Sequence, residues 1–339
     1  MPAFKRVSIN GPQFYELILK PSFGDLVDGM DVRNGYFGEF IVMNDVAHER
    51  KIIDIRRLQN ILRRRDASCS MEYQPIAKAG LRKIVVTELA AGVKMCREEF
   101  YQGCLKDWRN GDPAFLDGIV NYFKNGIATD LMTLMYFGDE SAAANSDPND
   151  FNVNQFDGIF TQYKKYVTAG VIPGGQTFNI PAGNISASNA QVYLENLYSN
   201  QDSLMNVMLD TDKAFYIDKK WSDAYEAYLV ASGQGSNEAA NFTINGIKGR
   251  AYKGIPIFVN PFFNPVLNQV VGNGAHFGVL TLRGNFVFGT DQSYGTGPDG
   301  NEALVVWYDY YDDTWKWRTA LKGGTQIALP EHSCLALPA

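Results

Sequence analysis

The 339-residue chain has few of the groups that usually carry chemistry. Four cysteines, Cys69, Cys96, Cys104 and Cys334, are too scattered for a disulfide framework, and no two have CxxC spacing. Three histidines, His48, His276 and His332, stand apart from one another and from the cysteines, so a zinc constellation has no support in the spacing. The patterns G-x-x-x-x-G-K-[ST], G-x-S-x-G, H-E-x-x-H and D-F-G are all missing. No window approaches 18 consecutive apolar residues, which argues against a membrane-spanning helix. Met1 to Asn10 holds two basic residues and no apolar stretch, so it does not read as a signal peptide. The thin cysteine usage fits a reducing compartment.

What is present is an ordinary globular composition, 45% hydrophobic and 20% charged, with enough chain for two domains. The net charge of −6 is the wrong sign for a protein devoted to gripping phosphates. Charge is also unevenly placed. Residues 1–111 carry 18 basic and 14 acidic side chains, the remainder 13 and 23, and residues 48–83 alone hold ten basic and four acidic. Within that stretch Arg56, Arg57, Arg63, Arg64 and Arg65 are candidate contacts to an acidic surface on another copy of the chain, with a solvated face or nucleic acid as alternative uses.

Residues 1–45 are punctuated by Gly11-Pro12, Pro21, Gly24, Gly29, Gly35 and Gly38 and read as irregular or extended, with Phe40 to Met43 the best strand candidate. Residues 46–86 read as two strands joined by a polar middle, a long hairpin flap; a helix from Asp54 to Arg65 is the alternative, since Ile55, Leu58, Ile61 and Leu62 have helical spacing. Leu89, Val93, Cys96, Phe100, Cys104 and Trp108 then recur every three or four residues behind a Thr87 cap, predicting a long helix. Phe115 to Leu134 predict a second helix that stops near Gly138.

Further on, the pattern predicts a helix over Ser188 to Asn200 with Val192, Leu194, Leu197 and Tyr198 inward. A buried strand over Lys213 to Ile217 follows, and Asp218 caps a helix from Lys219 to about Ala231, packed through Trp221, Tyr225, Tyr228 and Leu229. Asn245-Gly246 marks a hairpin. Short strands are expected at Val279-Leu280 and Phe286 to Phe288. The tail reads as a meander over Ala303 to Tyr311, Thr314 to Leu321 and Thr325 to Leu329, turning at Asp312-Asp313 and Gly323-Gly324. Asp309, Asp312 and Asp313 read as solvated carboxylates of a turn, Asp139, Glu140, Asp147 and Asp150 as a polar loop, and Cys104 as a packed thiol. The three histidines read as surface or partly buried polar residues.

Taken in order, these elements resemble the major capsid protein of tailed double-stranded DNA viruses, the HK97-like fold family. The resemblance rests on the order arm, flap, long helix, and on YFKNGIATDLMTLMYFG at Tyr122 to Gly138. It rests also on Phe215 to Val230, GRAYKGIPIFV at Gly249 to Val259, and GVLTLRGNFVFGTD at Gly278 to Asp291, followed by TALKGGTQIALPE. It implies an α+β fold with arm 1–45, flap 46–86, peripheral domain 87–187 with a spine helix over 87–109, axial domain 188–270, and a return to the peripheral domain over 271–339.

It further implies a structural subunit, not an enzyme and without cofactor or metal, that self-assembles through hexamers and pentamers into an icosahedral or prolate shell around double-stranded DNA. Scaffolding, portal and decoration proteins would be its partners, contact with the packaged DNA would be non-specific, and no membrane would be involved. The shell would be assembled in the host cytoplasm and be found in the virion. Other readings are an encapsulin-like nanocompartment shell, a tail or baseplate component, and a carbohydrate-binding or hydrolytic protein suggested by 18 Tyr, 21 Phe and 5 Trp.

Overall fold

The computed structural model describes residues 7–9, 40–44, 46–54, 80–96, 126–127, 129–144, 150–233, 241–244, 247–260, 262–291 and 304–339. Among them two large sheets and one two-stranded ladder organise the chain.

One sheet is built around Lys213–Asp218 (β7), whose six residues are all buried. Its neighbours are Ile255–Asn260 (β10), parallel, and Gly278–Leu282 (β11), antiparallel. Ser333–Pro338 (β15) pairs with β11, and Thr177–Ile180 (β6) closes that side. Ile247–Tyr252 (β9) and Asn241–Ile244 (β8) close the other. A strand buried on both faces alternates its side chains between two cores. Phe215 and Ile217 point into one core with Trp221, Tyr225, Leu229, Leu194 and Leu197, while Ala214 and Tyr216 point into the other.

The first core is closed by Ala190–Ser199 (α3) and Lys219–Ala231 (α5). Asp218 ends β7 and starts α5: its carboxylate accepts the Trp221 N–H at 2.9 Å, satisfying a donor that the helix leaves unpaired. Trp221, Tyr225 and Leu229 then fall on one buried stripe, with Tyr228 beside it. On α3 the buried positions are Ala190, Leu194 and Leu197; Val192, expected inward, is 54% exposed.

The second sheet runs Val7–Ile9 (β1), Leu304–Asp309 (β13), Thr314–Ile327 (β14), Phe286–Thr290 (β12), Phe40–Met43 (β2), with Thr87–Cys96 (β5) on the remaining side of β14. A helix over residues 129–137 (α1) and Ile159–Thr168 (α2) pack between it and the first sheet. Tyr136, Phe137, Phe160, Phe263, Phe277 and Phe286 fill this core, mostly edge-on or tilted, with centroids 5.0 to 5.7 Å apart along Phe137–Phe263, Tyr136–Phe263, Phe160–Phe277 and Phe137–Phe160. A short helix, Phe263–Val270 (α6), brings Phe263, Val266 and Leu267 to it, with Pro265 tolerated in its first turn.

Four expectations are corrected. Thr87–Cys96 is not the start of a helix but a ten-residue strand, paired from Thr87↔Gly323 to Cys96↔Thr314; residues 97–125, on which the rest of the 87–109 helix and the start of the second fall, lie outside the described residues. Leu89 and Ala91 are its half-buried positions, a period of two. Gly323-Gly324 is not a turn, because β14 runs through it without a break. The expected third strand of the tail meander, Thr325 to Leu329, is not separate, since Thr325 to Ile327 continue β14; the chain's last strand, β15, pairs with β11 in the first sheet. His276 is neither exposed nor peripheral, being 2% exposed. Trp315 and Trp317 lie on β14, but their side chains are outside the described residues.

Candidate assembly site at the hairpin root

Glu49–Asp54 (β3) and Gly80–Val85 (β4) form an antiparallel ladder from Glu49↔Val85 to Asp54↔Gly80. The ladder lies within the span 46–86 in which two strands were expected, and it is a sheet of its own. Residues 55–79 lie outside the described residues, and with them the candidate contacts Arg56, Arg57, Arg63, Arg64 and Arg65 and most of the alternative helix over Asp54 to Arg65. What the structure describes is how the ladder is fixed to the body.

Along β4 the inward residues are Arg82 and Ile84, with Val86 following; Lys83 and Val85 face out. Ile84 and Val86 bury against Val46 and Val287, with Met43, Ile52 and Ala328 around them. The flap crosses β12 and β14 where Gly289 faces Gly324 in their ladder. A Cβ on Gly324 would overlap the Val85 carbonyl oxygen, and one on Gly289 would lie 2.9 Å from the Ile84 methyl. The glycines provide a floor on which another backbone rests. Backbone bonds complete the seat: the Val86 N–H donates to His48 O at 3.0 Å and the Val46 N–H to Thr290 O at 2.9 Å.

Beside this apolar seat is a polar clamp. Arg82 Nη2 donates to Glu331 Oε2 at 2.8 Å, Arg82 Nη1 donates to the Ala328 carbonyl, and the guanidinium lies 5.7 Å from the Tyr166 ring centroid. The Tyr166 hydroxyl donates to Gln326 Oε1 at 2.8 Å, and Gln326 Nε2 donates to the Lys83 carbonyl at 2.8 Å. Burial raises the Tyr166 phenol above its usual range, so it stays a donor. Lys83 and Glu49 pair across the ladder at 3.0 Å on the exposed face, where such a pair adds little. Arg82, Glu331, Gln326 and the two glycines were not singled out from sequence.

Elsewhere among the described residues several titratable groups are held in ion pairs or hydrogen bonds. Asp309 and Asp312, expected to be solvated, both receive Lys316 Nζ at 2.7 Å at the β13–β14 turn, where Asp313 has φ +50°. Those hydrogen bonds lower the Asp309 carboxyl and raise the Lys316 ammonium from their usual values. His276 Nδ1 is 3.0 Å from Asp218 Oδ2, and Asn264 Nδ2 donates to Asp218 Oδ1 at 3.0 Å, so the helix cap is locked from three sides. His332 Nδ1 is 2.6 Å from Asp202 Oδ2; His48 is exposed. Ser333 is buried against Tyr163 and Thr281 hydroxyls at 3.0 and 2.9 Å, an arrangement with no base. Burial pushes the Cys334 thiol up to about 12, the opposite of an activated nucleophile. Among the described residues no group of His, Cys, Asp and Glu could hold a metal, and no helix is long and apolar enough to cross a membrane.

No protein-family model matches the chain, and no curated protein matches it. Solved structures do. A chain of the satellite phage P4 procapsid including size determination (Sid) protein is 12% identical, with 93% of this chain and 98% of that one covered at a TM-score of 0.60. The holo-SrpI encapsulin complex from Synechococcus elongatus PCC 7942 aligns at 11% identity over 88% of this chain and 84% of that one, with a TM-score of 0.48. The capsid of the native GTA particle aligns at 13% identity over 100% and 94%, with a TM-score of 0.47. The likeness to the procapsid chain identifies the fold as α+β and HK97-like.

Proposed function

We propose that this chain is the subunit of a self-assembling shell, the capsid of a tailed virus, icosahedral or prolate, that encloses a double-stranded DNA genome. The observation that carries the reading is the match of nearly the whole chain to a procapsid chain of similar extent. The hairpin supports it. A two-stranded ladder alone is marginally stable in water, and among the described residues this one is held to its own body by Arg82, Ile84 and Val86 on one face while Lys83 and Val85 face out. A second copy lying on that outer face would add to its burial.

In this reading the basic residues Arg56, Arg57, Arg63, Arg64 and Arg65 of the flap meet the acidic surface of a neighbouring copy. The subunits form hexamers and pentamers, so each modest contact is repeated by symmetry. The arm over 1–45 braces neighbours, and the sheet around β7 with α3 and α5 makes the contacts near the ring centre. The role is structural, without turnover. Contact with packaged DNA is non-specific, as suits a chain of net charge −6. Scaffolding, portal and decoration proteins are the further partners, assembly takes place in the host cytoplasm, and the mature location is the virion.

The test is electron microscopy of the purified full chain, alone and with a co-expressed scaffold. Closed shells, or rings of five and six that grow into them, are expected. A monomeric population under both conditions would contradict the reading, and shells filled with protein in place of DNA in the native host would move it to a nanocompartment.

A further inference from the structure

We infer that Arg82 is a positioning residue that fixes the angle at which the β3–β4 hairpin leaves the body, and that the angle determines where the hairpin meets a second copy. The second half of this inference rests on the shell reading. The first half rests on geometry alone.

The root has two kinds of contact. Ile84 and Val86 against Val46 and Val287 are apolar and non-directional, and they hold the hairpin down without fixing its rotation. Arg82 lies beside that seat and its contacts are directional. Its two amino groups reach the Glu331 carboxylate and the Ala328 carbonyl, both on the segment between β14 and β15, and its face lies over Tyr166 of α2. Two elements remote in sequence therefore fix one planar group. The planarity of a guanidinium constrains orientation as well as distance, which an ammonium at the same place would not do. Tyr166 and Gln326 return the constraint to the same strand through the Lys83 carbonyl, so the clamp is a closed circuit. Arg82 and Glu331 side chains are 17% and 23% exposed, so solvent screens them less than an open surface pair.

The angle matters because a rotation at the root turns the whole strand pair, and with it the direction in which the chain leaves the ladder at Asp54 and returns at Gly80. A loosened clamp would leave the subunit folded and its flap able to meet neighbours at several angles.

The experiment compares the full-length wild type with Arg82→Lys, Arg82→Ala and Glu331→Gln. Amide hydrogen exchange on the unassembled chain reads the first half. Exchange over 49–54 and 80–85 should accelerate about tenfold in Arg82→Ala and Glu331→Gln and by less in Arg82→Lys, while β7 and α5 keep their wild-type protection. Micrographs of assembled material read the second half, with shell diameters broadened or shells left open. Unchanged exchange in all three variants overturns the clamp, and Glu331→Gln keeps that test available if Arg82→Ala fails to fold. Faster exchange with wild-type shell diameters overturns the link from angle to assembly. A wild type that forms no shells contradicts the shell reading itself, a result separate from either.

Discussion

Arg82 and Glu331 are 249 positions apart in the chain and 2.8 Å apart in the fold. The pair joins the second strand of the β3–β4 ladder to the last turn before the final strand. A subunit that must present a hairpin at a set angle needs such a tie. Most strands of both sheets, and most of the residues of both cores, lie between the two in sequence and hold the two ends of the tie in place.

Gly324→Ala should destabilise the protein by about 2 kcal/mol, because the added methyl meets a backbone oxygen that cannot move without lifting the flap. Gly174→Ala, with open space around it, should lie within about 0.5 kcal/mol of wild type. Urea denaturation of both variants checks the contrast.

Asp218→Ala should cost about 3 kcal/mol, since it removes the cap of α5 and leaves buried His276 and Asn264 without their acceptor. Asp218→Asn keeps an oxygen for the Trp221 N–H and should cost less. Calorimetry on the two variants separates the cap from the rest of the network.

Cys334 should resist iodoacetamide at pH 8 in the native protein while Cys96, which is exposed, is modified. Peptide mapping reads this directly. The sign of the pH effect follows from the raised thiol. Its contribution to stability is full below the ordinary thiol value of 9.0 and is lost as pH rises from there toward about 12. The difference in stability between wild type and Cys334→Ala should therefore shrink above pH 9 and be flat from pH 6 to 8.

Replacing Arg63, Arg64 and Arg65 by Glu should abolish assembly and leave the circular dichroism of the subunit unchanged. Raising salt from 0.1 to 1 M should weaken wild-type assembly in the same direction, because the screening length falls from about 10 to 3 Å. Light scattering follows both.

The elements readable from sequence are those whose reasons are local. Asp218 announces the start of α5 because a capping carboxylate needs only the next three residues. Lys213 to Ile217 reads as a buried strand from its unbroken apolar run. Ile244↔Ile247 pairing follows from a two-residue Asn-Gly link, and the β3–β4 ladder from two apolar strands around a polar middle. The misreadings have remote causes. Leu89, Val93 and Cys96 have helical spacing, but the ten-residue ladder that makes them a strand is supplied by Thr314 to Gly323. Gly323 and Gly324 looked like a turn, yet neither has positive φ; Gly324 leaves room for Val85 O. Arg82 could be seen as a charge in a basic stretch, but not as a clamp, because Glu331, Ala328 and Tyr166 come to it only through the fold.

The most direct test of the central claim is negative-stain electron microscopy of the purified full-length protein with and without a co-expressed scaffold. Closed shells, or rings of five and six subunits leading to them, are the predicted result. A uniform population of monomers under both conditions would contradict the account.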